Sequence, residues 1–162
     1  MKTDGILATA IFAGVLLSQA SMAADLMPYS ELDSGPSAIQ TQQSDILQQG
    51  QNHQAVSYQQ GGANQSLILQ HGMANTALIH QIGYANNAQS IQSGALLEAS
   101  ILQHGYGHDA SIVQAGYGKE ATINQHGFYG SAEIHQLSQQ RTSPVTITQF
   151  SRGQASVQVY QY

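Results

Sequence analysis

Cysteine and tryptophan are absent from these 162 residues, proline occurs three times, and Asp, Glu, Lys and Arg together supply 8%. Each shortage excludes something. Without Cys, no disulfide framework can order an exported chain. With amides, Gly, Ala and Ser dominating, few large side chains are left to fill an ordinary globular core. Four basic residues against nine acidic ones, a net charge of −5, offer no basic patch to nucleic acid. That charge is too low, and proline too sparse, for the composition of a disordered polar chain.

No apolar run is long enough to cross a membrane as a helix. The longest extends from Ile6 to Leu17, follows Lys2, and precedes Ser21-Met22-Ala23, with small residues at the two positions that a signal peptidase reads. Residues 1–23 are therefore expected to be a signal peptide cleaved after Ala23, although Asp4 is unusual in such a basic leader. Residues 24–43 read as a linker.

What the chain does contain is a repeat. Gln stands at positions 48, 59, 70, 81, 92, 103, 114, 125 and 136, nine consecutive sites each 11 residues apart. Two residues after them come Gly50, Gly61, Gly72, Gly83, Gly94, Gly105, Gly116 and Gly127, and Ser138 is the first departure. Two residues before them come Ile46, Ile68, Ile79, Ile101, Ile112, Ile123 and Ile134, with Ser57 and Ser90 as exceptions. Four residues before stand Ala55, Ser66, Ala77, Ala88, Ala99, Ala110, Ala121 and Ala132. The unit reads Ala-x-Ile-x-Gln-x-Gly.

A spacing of two puts Ala, Ile and Gln on one face of a strand but on different faces of a helix. Each 11-residue unit is thus one short strand and one tight turn, with the glycines placed as turn residues. Two units make a 22-residue rung. The expected fold is an all-β solenoid of about five rungs, passing into cross-β amyloid on assembly. Stacked about 4.8 Å apart, Ile forms a dry column, and each Gln amide is satisfied by its equivalents above and below. The terminal rungs of such a stack expose unpaired edges, and an incoming chain can complete their ladders.

Gln70-x-Gly72-x-x-Asn75-x-Ala77-x-x-x-Gln81 resembles the repeat of the curlin family, Gln-x-Gly-x-x-Asn-x-Ala-x-x-x-Gln, at every named position. The frame recurs with His53, Leu97 and Lys119 in the Asn place, and Asn64 and Asn86 look like residues that open a repeat. The resemblance covers residue 38 or so to the end. It implies a structural subunit of extracellular curli fibres at the cell surface, exported through the outer membrane, serving adhesion and biofilm formation. Its implied partners are other curlin subunits, an outer-membrane secretion channel and accessory proteins.

Curlins comprise a major fibre subunit and a minor, nucleating one. The Gly-poor leader, the identical formula in both half-repeats and a deviant basic last repeat resemble the minor type; the terminal Gln161-Tyr162 is similar to the major type's ending. Residues 44–140 form four regular repeats running into a fifth. Residues 141–162 form an irregular one, its next match, Val145-x-Ile147-x-Gln149, lying 13 residues beyond Gln136. Arg141 and Arg152 in this segment are candidates for surface attachment, by the same resemblance.

Outward positions carry columns of their own: Leu47, Leu69, Ile91, Val113 and His135 on one sheet, and Gly62, Tyr84, Tyr106 and Phe128 on the other. The first is a candidate lateral contact, the second a stack along the axis. Seven His raise the question of metal, and His104 and His126 share a column, but neither Cys nor a carboxylate cluster accompanies them. No metal, cofactor or catalytic residue is expected. Paired catalytic carboxylates, the outward Thr rows of an ice-binding solenoid and the regular Asp of calcium-binding repeats do not stand out, so an enzyme or a non-polymerising surface-binding solenoid ranks behind a fibre subunit.

Overall fold

A computed structural model describes residues 41–162; the expected signal peptide and most of the linker lie outside the described residues. Nine strands follow one another without a helix among the described residues: β1 (Gln43–Gln51), β2 (Gln54–Gly62), β3 (Gln65–Met73), β4 (Thr76–Tyr84), β5 (Asn87–Ala95), β6 (Glu98–Tyr106), β7 (Asp109–Tyr117), β8 (Glu120–Gln136) and β9 (Val145–Gln161). The solenoid expected from the 11-residue period is what the chain forms. Every pairing is parallel and joins strands one rung apart, β1 with β3, β2 with β4, and so on up the stack.

The long strands β8 and β9 each serve both sheets. The first half of β8 continues the column of β2, β4 and β6, and its second half, from Ser131, pairs with β7. One sheet therefore aligns Gln48, Gln70, Gln92, Gln114, Gln136 and Gln161, and the other aligns Gln59, Gln81, Gln103, Gln125 and Gln149.

Alternation along each strand sends Ala, Ile and Gln inward and their neighbours outward. Ile68, Ile79, Ile101, Ile112, Ile123 and Ile134 are each at most 1% exposed, and Ala77, Ala88, Ala99, Ala110, Ala121 and Ala132, two residues before the Ile or Ser of each unit, are buried with them. Small Ala at one side and Ile at the centre let the two sheets approach closely.

The turns differ from the simplest reading of the repeat. The eight repeat glycines have φ between 108° and 141°, yet seven sit near strand ends and Gly127 lies within β8, none of them at the left-handed turn residue. That residue comes two positions later and is seldom Gly: Asn52, Ala63, Ala74, Ala85, Leu96 and Tyr129 have φ of 53–57°, joined by Gly107 and Gly118. The repeat glycines are required for a second reason also. A Cβ on Gly72 would overlap the carbonyl of Gly94, and one on Gly94 that of Gly116, so side chains are excluded by the next rung itself.

Residues 137–144 lie outside the strands. They absorb the first break in the period, since Gln125 pairs with Gln149, 24 residues on. A further register shift between Phe128 and Gly130 sets Gln136 against Gln161, 25 residues on.

Candidate functional site: the amide ladders and the open rung

The two Gln columns are continuous hydrogen-bond ladders. In each, Nε2 donates to the Oε1 of the Gln one rung towards the C-terminus, from Gln48 through Gln136 to Gln161 and from Gln59 through Gln125 to Gln149, at 2.7–3.0 Å. From Gln59 to Gln136, with Gln149 departing, the second Nε2 hydrogen goes to a backbone carbonyl 16 residues earlier, as from Gln70 to Gln54 and from Gln92 to Thr76. That carbonyl cannot donate, so the amide cannot be flipped, and every core Gln points the same way. Gln81, Gln103, Gln125 and Gln136 are completely buried, at a cost that only this full partnering offsets.

A second pair of ladders runs along the corners, five residues after each repeat Gln. Asn75 Nδ2 donates to the carbonyls of His71 and Gly94, while its Oδ1 accepts the N–H of Leu97, the corner residue one rung on. Asn64 and Asn86 do the same at the opposite corner, and Asn86 Oδ1 accepts the N–H of His108. His53, Leu97, His108, Lys119 and Gly130 occupy equivalent corner positions. Lys119 is 1% exposed and its Nζ donates to the carbonyl of Gln140; burial holds its ammonium below the ordinary lysine value.

Among the described residues nothing pairs with the outer edges of β1 and β2, or with that of β9. Ile46 on β1 is 45% exposed, whereas its partner one rung inward, Ile68, is 0% exposed. The open rung thus ends both Gln columns and the Ile column of β1, while β2 carries Ser57 in the Ile place.

Other sequence-marked residues fall around this core. Tyr84 and Tyr106 stack with ring centroids 5.5 Å apart and planes 6° from parallel. Leu47 is 65% exposed at the head of the outward aliphatic column. Arg141 is exposed in residues 137–144, and Arg152 is exposed on β9 opposite Phe128; the two basic residues lie on separate segments. His104 and His126 are neighbours at 6.0 Å, with Phe150 stacked on His126. His104 and His108, four apart, would share a helical face, but here His104 is exposed and His108 is buried at a corner. Among the described residues no group of three or more His, Cys, Asp or Glu converges on one point.

A model of the curlin associated repeat matches residues 97–127. The chain carries a curlin-type repeat. The matched stretch runs from the Leu97 corner through β6 and β7 to Gly127 of β8, and so contains the most regular part of both ladders. No curated protein and no solved structure matches the chain. Curlin-type repeats and a parallel solenoid together support a structural subunit. The corner ladders were missed by sequence reasoning. The position itself was aligned in the sequence, with His53, Leu97 and Lys119 in the Asn place, but the hydrogen bonds that join it from rung to rung were not.

Proposed function

We propose that this protein is a structural subunit of extracellular curli-type amyloid fibres, and specifically a minor curlin that nucleates polymerisation of a major subunit at the cell surface. The observation that carries the reading is the open rung at β1 and β2. There, two amide ladders and an Ile column end unpaired in the geometry that an incoming strand of the same repeat would extend. The match to the curlin associated repeat supports the family side. Adhesion, biofilm formation, export through an outer-membrane channel with accessory proteins, and surface retention through Arg141 and Arg152 belong to the same proposal.

The test is seeding. The chain from Ala24 onward, added at a small fraction to a major curlin, should abolish most of the lag before fibres appear by dye fluorescence and cross-β diffraction. A chain that polymerises alone but leaves the lag unchanged would instead be a major subunit. A chain that stays monomeric and seeds nothing would be a surface-binding solenoid. Deleting residues 141–162 should preserve fibre formation in vitro and reduce retention on cells; unchanged retention would remove the attachment role.

A further inference from the structure

His108 stands where the repeat places Asn, and its Nδ1 takes the place of the amide oxygen. Nδ1 accepts the N–H of Gly130 at 3.1 Å, as Asn86 Oδ1 accepts the N–H of His108. Nε2 faces the carbonyls of His104 and Gly127, the equivalents of Ile82 and Gly105 that Asn86 Nδ2 meets, without reaching good hydrogen-bond geometry to either. His53 repeats the substitution at the open rung, with Nε2 at 3.1 Å from the Gln49 carbonyl and Nδ1 accepting from Asn75 at 3.3 Å.

The imitation holds for one protonation state only. Nδ1 can accept from Gly130 only while it carries a lone pair, which requires the neutral ring with its proton on Nε2. Adding a proton would set N–H against N–H and create a cation on a side chain that is 1% exposed. An Asn at the same corner has no such second state.

We propose that His108 is a proton-operated latch, which when neutral fastens the corner between β6 and β7 to the corner inside β8 and when protonated in acid releases it. The carbonyls of His104 and Gly127 favour the cation, but burial outweighs them. β5 and its corner contribute uncharged Asn86, and β9 contributes uncharged Gln149 and Ser151, whose Oε1 and Oγ lie beside Gly130 with His108 Nδ1. His126 on β8 adds repulsion when charged. His104 on β6 offers its carbonyl, Tyr106 and Tyr129 flank the turn, Asp109 on β7 is exposed and holds Asn87 at 3.1 Å, and Arg152 on β9 is exposed. Burial, the largest influence, pushes the His108 value below the ordinary 6.5. The folded state therefore binds fewer protons than the unfolded one just below pH 6.5, and stability falls as the medium is acidified through that range.

The latch is a property of the folded rung and does not rest on polymerisation. The mature chain, its H108N variant and an H126N control would be compared at pH 7.5 and pH 5 by amide hydrogen exchange, corrected for the intrinsic rate. The Gly130 amide should exchange about tenfold faster at pH 5 in the parent and in H126N, and equally at both pH values in H108N. The same acid gain in H108N would overturn the proposal. Should H108N fail to fold, the imidazole titration of the parent decides: a His108 that is doubly protonated at pH 5 while Gly130 stays protected overturns it, and loss of protection in step with protonation supports it.

Discussion

The side-chain amide of Gln92 donates to that of Gln114 at 2.9 Å, one rung further along the stack, and both residues are 1% exposed. The Gln92 amide also donates to the Thr76 carbonyl and accepts from Gln70, so three groups depend on it. Replacing Gln92 with Leu should leave one N–H of Gln70, the side-chain oxygen of Gln114 and the Thr76 carbonyl without these partners and destabilise the solenoid by about 3 kcal/mol. The outward Gln89→Leu, with the same change of composition, should alter stability by under about 0.5 kcal/mol. Denaturant unfolding of the two variants measures the difference.

Ser90 interrupts the Ile column between Ile68 and Ile112, and its Oγ is buried without a partner. Ser90→Ile restores the repeat formula and removes an unsatisfied hydroxyl. It should stabilise by about 2 kcal/mol and raise the unfolding midpoint. Destabilisation would show that the column narrows at this rung.

Two positive-φ positions, one at each end of β5, should respond with opposite signs. Gly94→Ala places a methyl against the Gly116 carbonyl at φ 141° and should cost roughly 2–4 kcal/mol. Ala85→Gly relieves a left-handed Ala at φ 55° and should gain about 1 kcal/mol. Thermal melts of the pair check both.

Lys119 supplies a second pH signature, at the alkaline end. Its folded-state value lies below 10.5, so between that value and 10.5 the unfolded chain binds more protons, and stability rises with pH across the window. Lys119→Leu, which continues the column from Leu97, should stabilise at pH 7 by about 1 kcal/mol, an advantage that shrinks as the pH approaches 10.5. A constant difference between parent and variant from pH 7 to 11 would sink this account.

The rungs were legible because a solenoid stacks like on like: one constant offset between Gln48 and Gln136 dictates register, facing and core at once. The turn was less legible. The residue that adopts left-handed φ varies from Asn52 through Ala63 to Tyr129, since little but φ is asked of it, whereas Gly72 repeats because the neighbouring rung forbids a Cβ. The corner roles of His53, His108 and Lys119 depend on where a polar atom falls in space, and letters at one offset do not carry that. The one-residue slip at Phe128 had no mark either, because β8 turns from one sheet to the other while remaining a strand.

Because no core amide from Gln59 to Gln136 can flip, the two columns behave electrically as aligned peptide groups do in a helix. Their small dipoles add along the axis, with bare oxygens at the Gln48 and Gln59 end and amide hydrogens turned towards Gln149 and Gln161. Two columns of uncharged amides thus give the molecule a head and a tail that differ in sign.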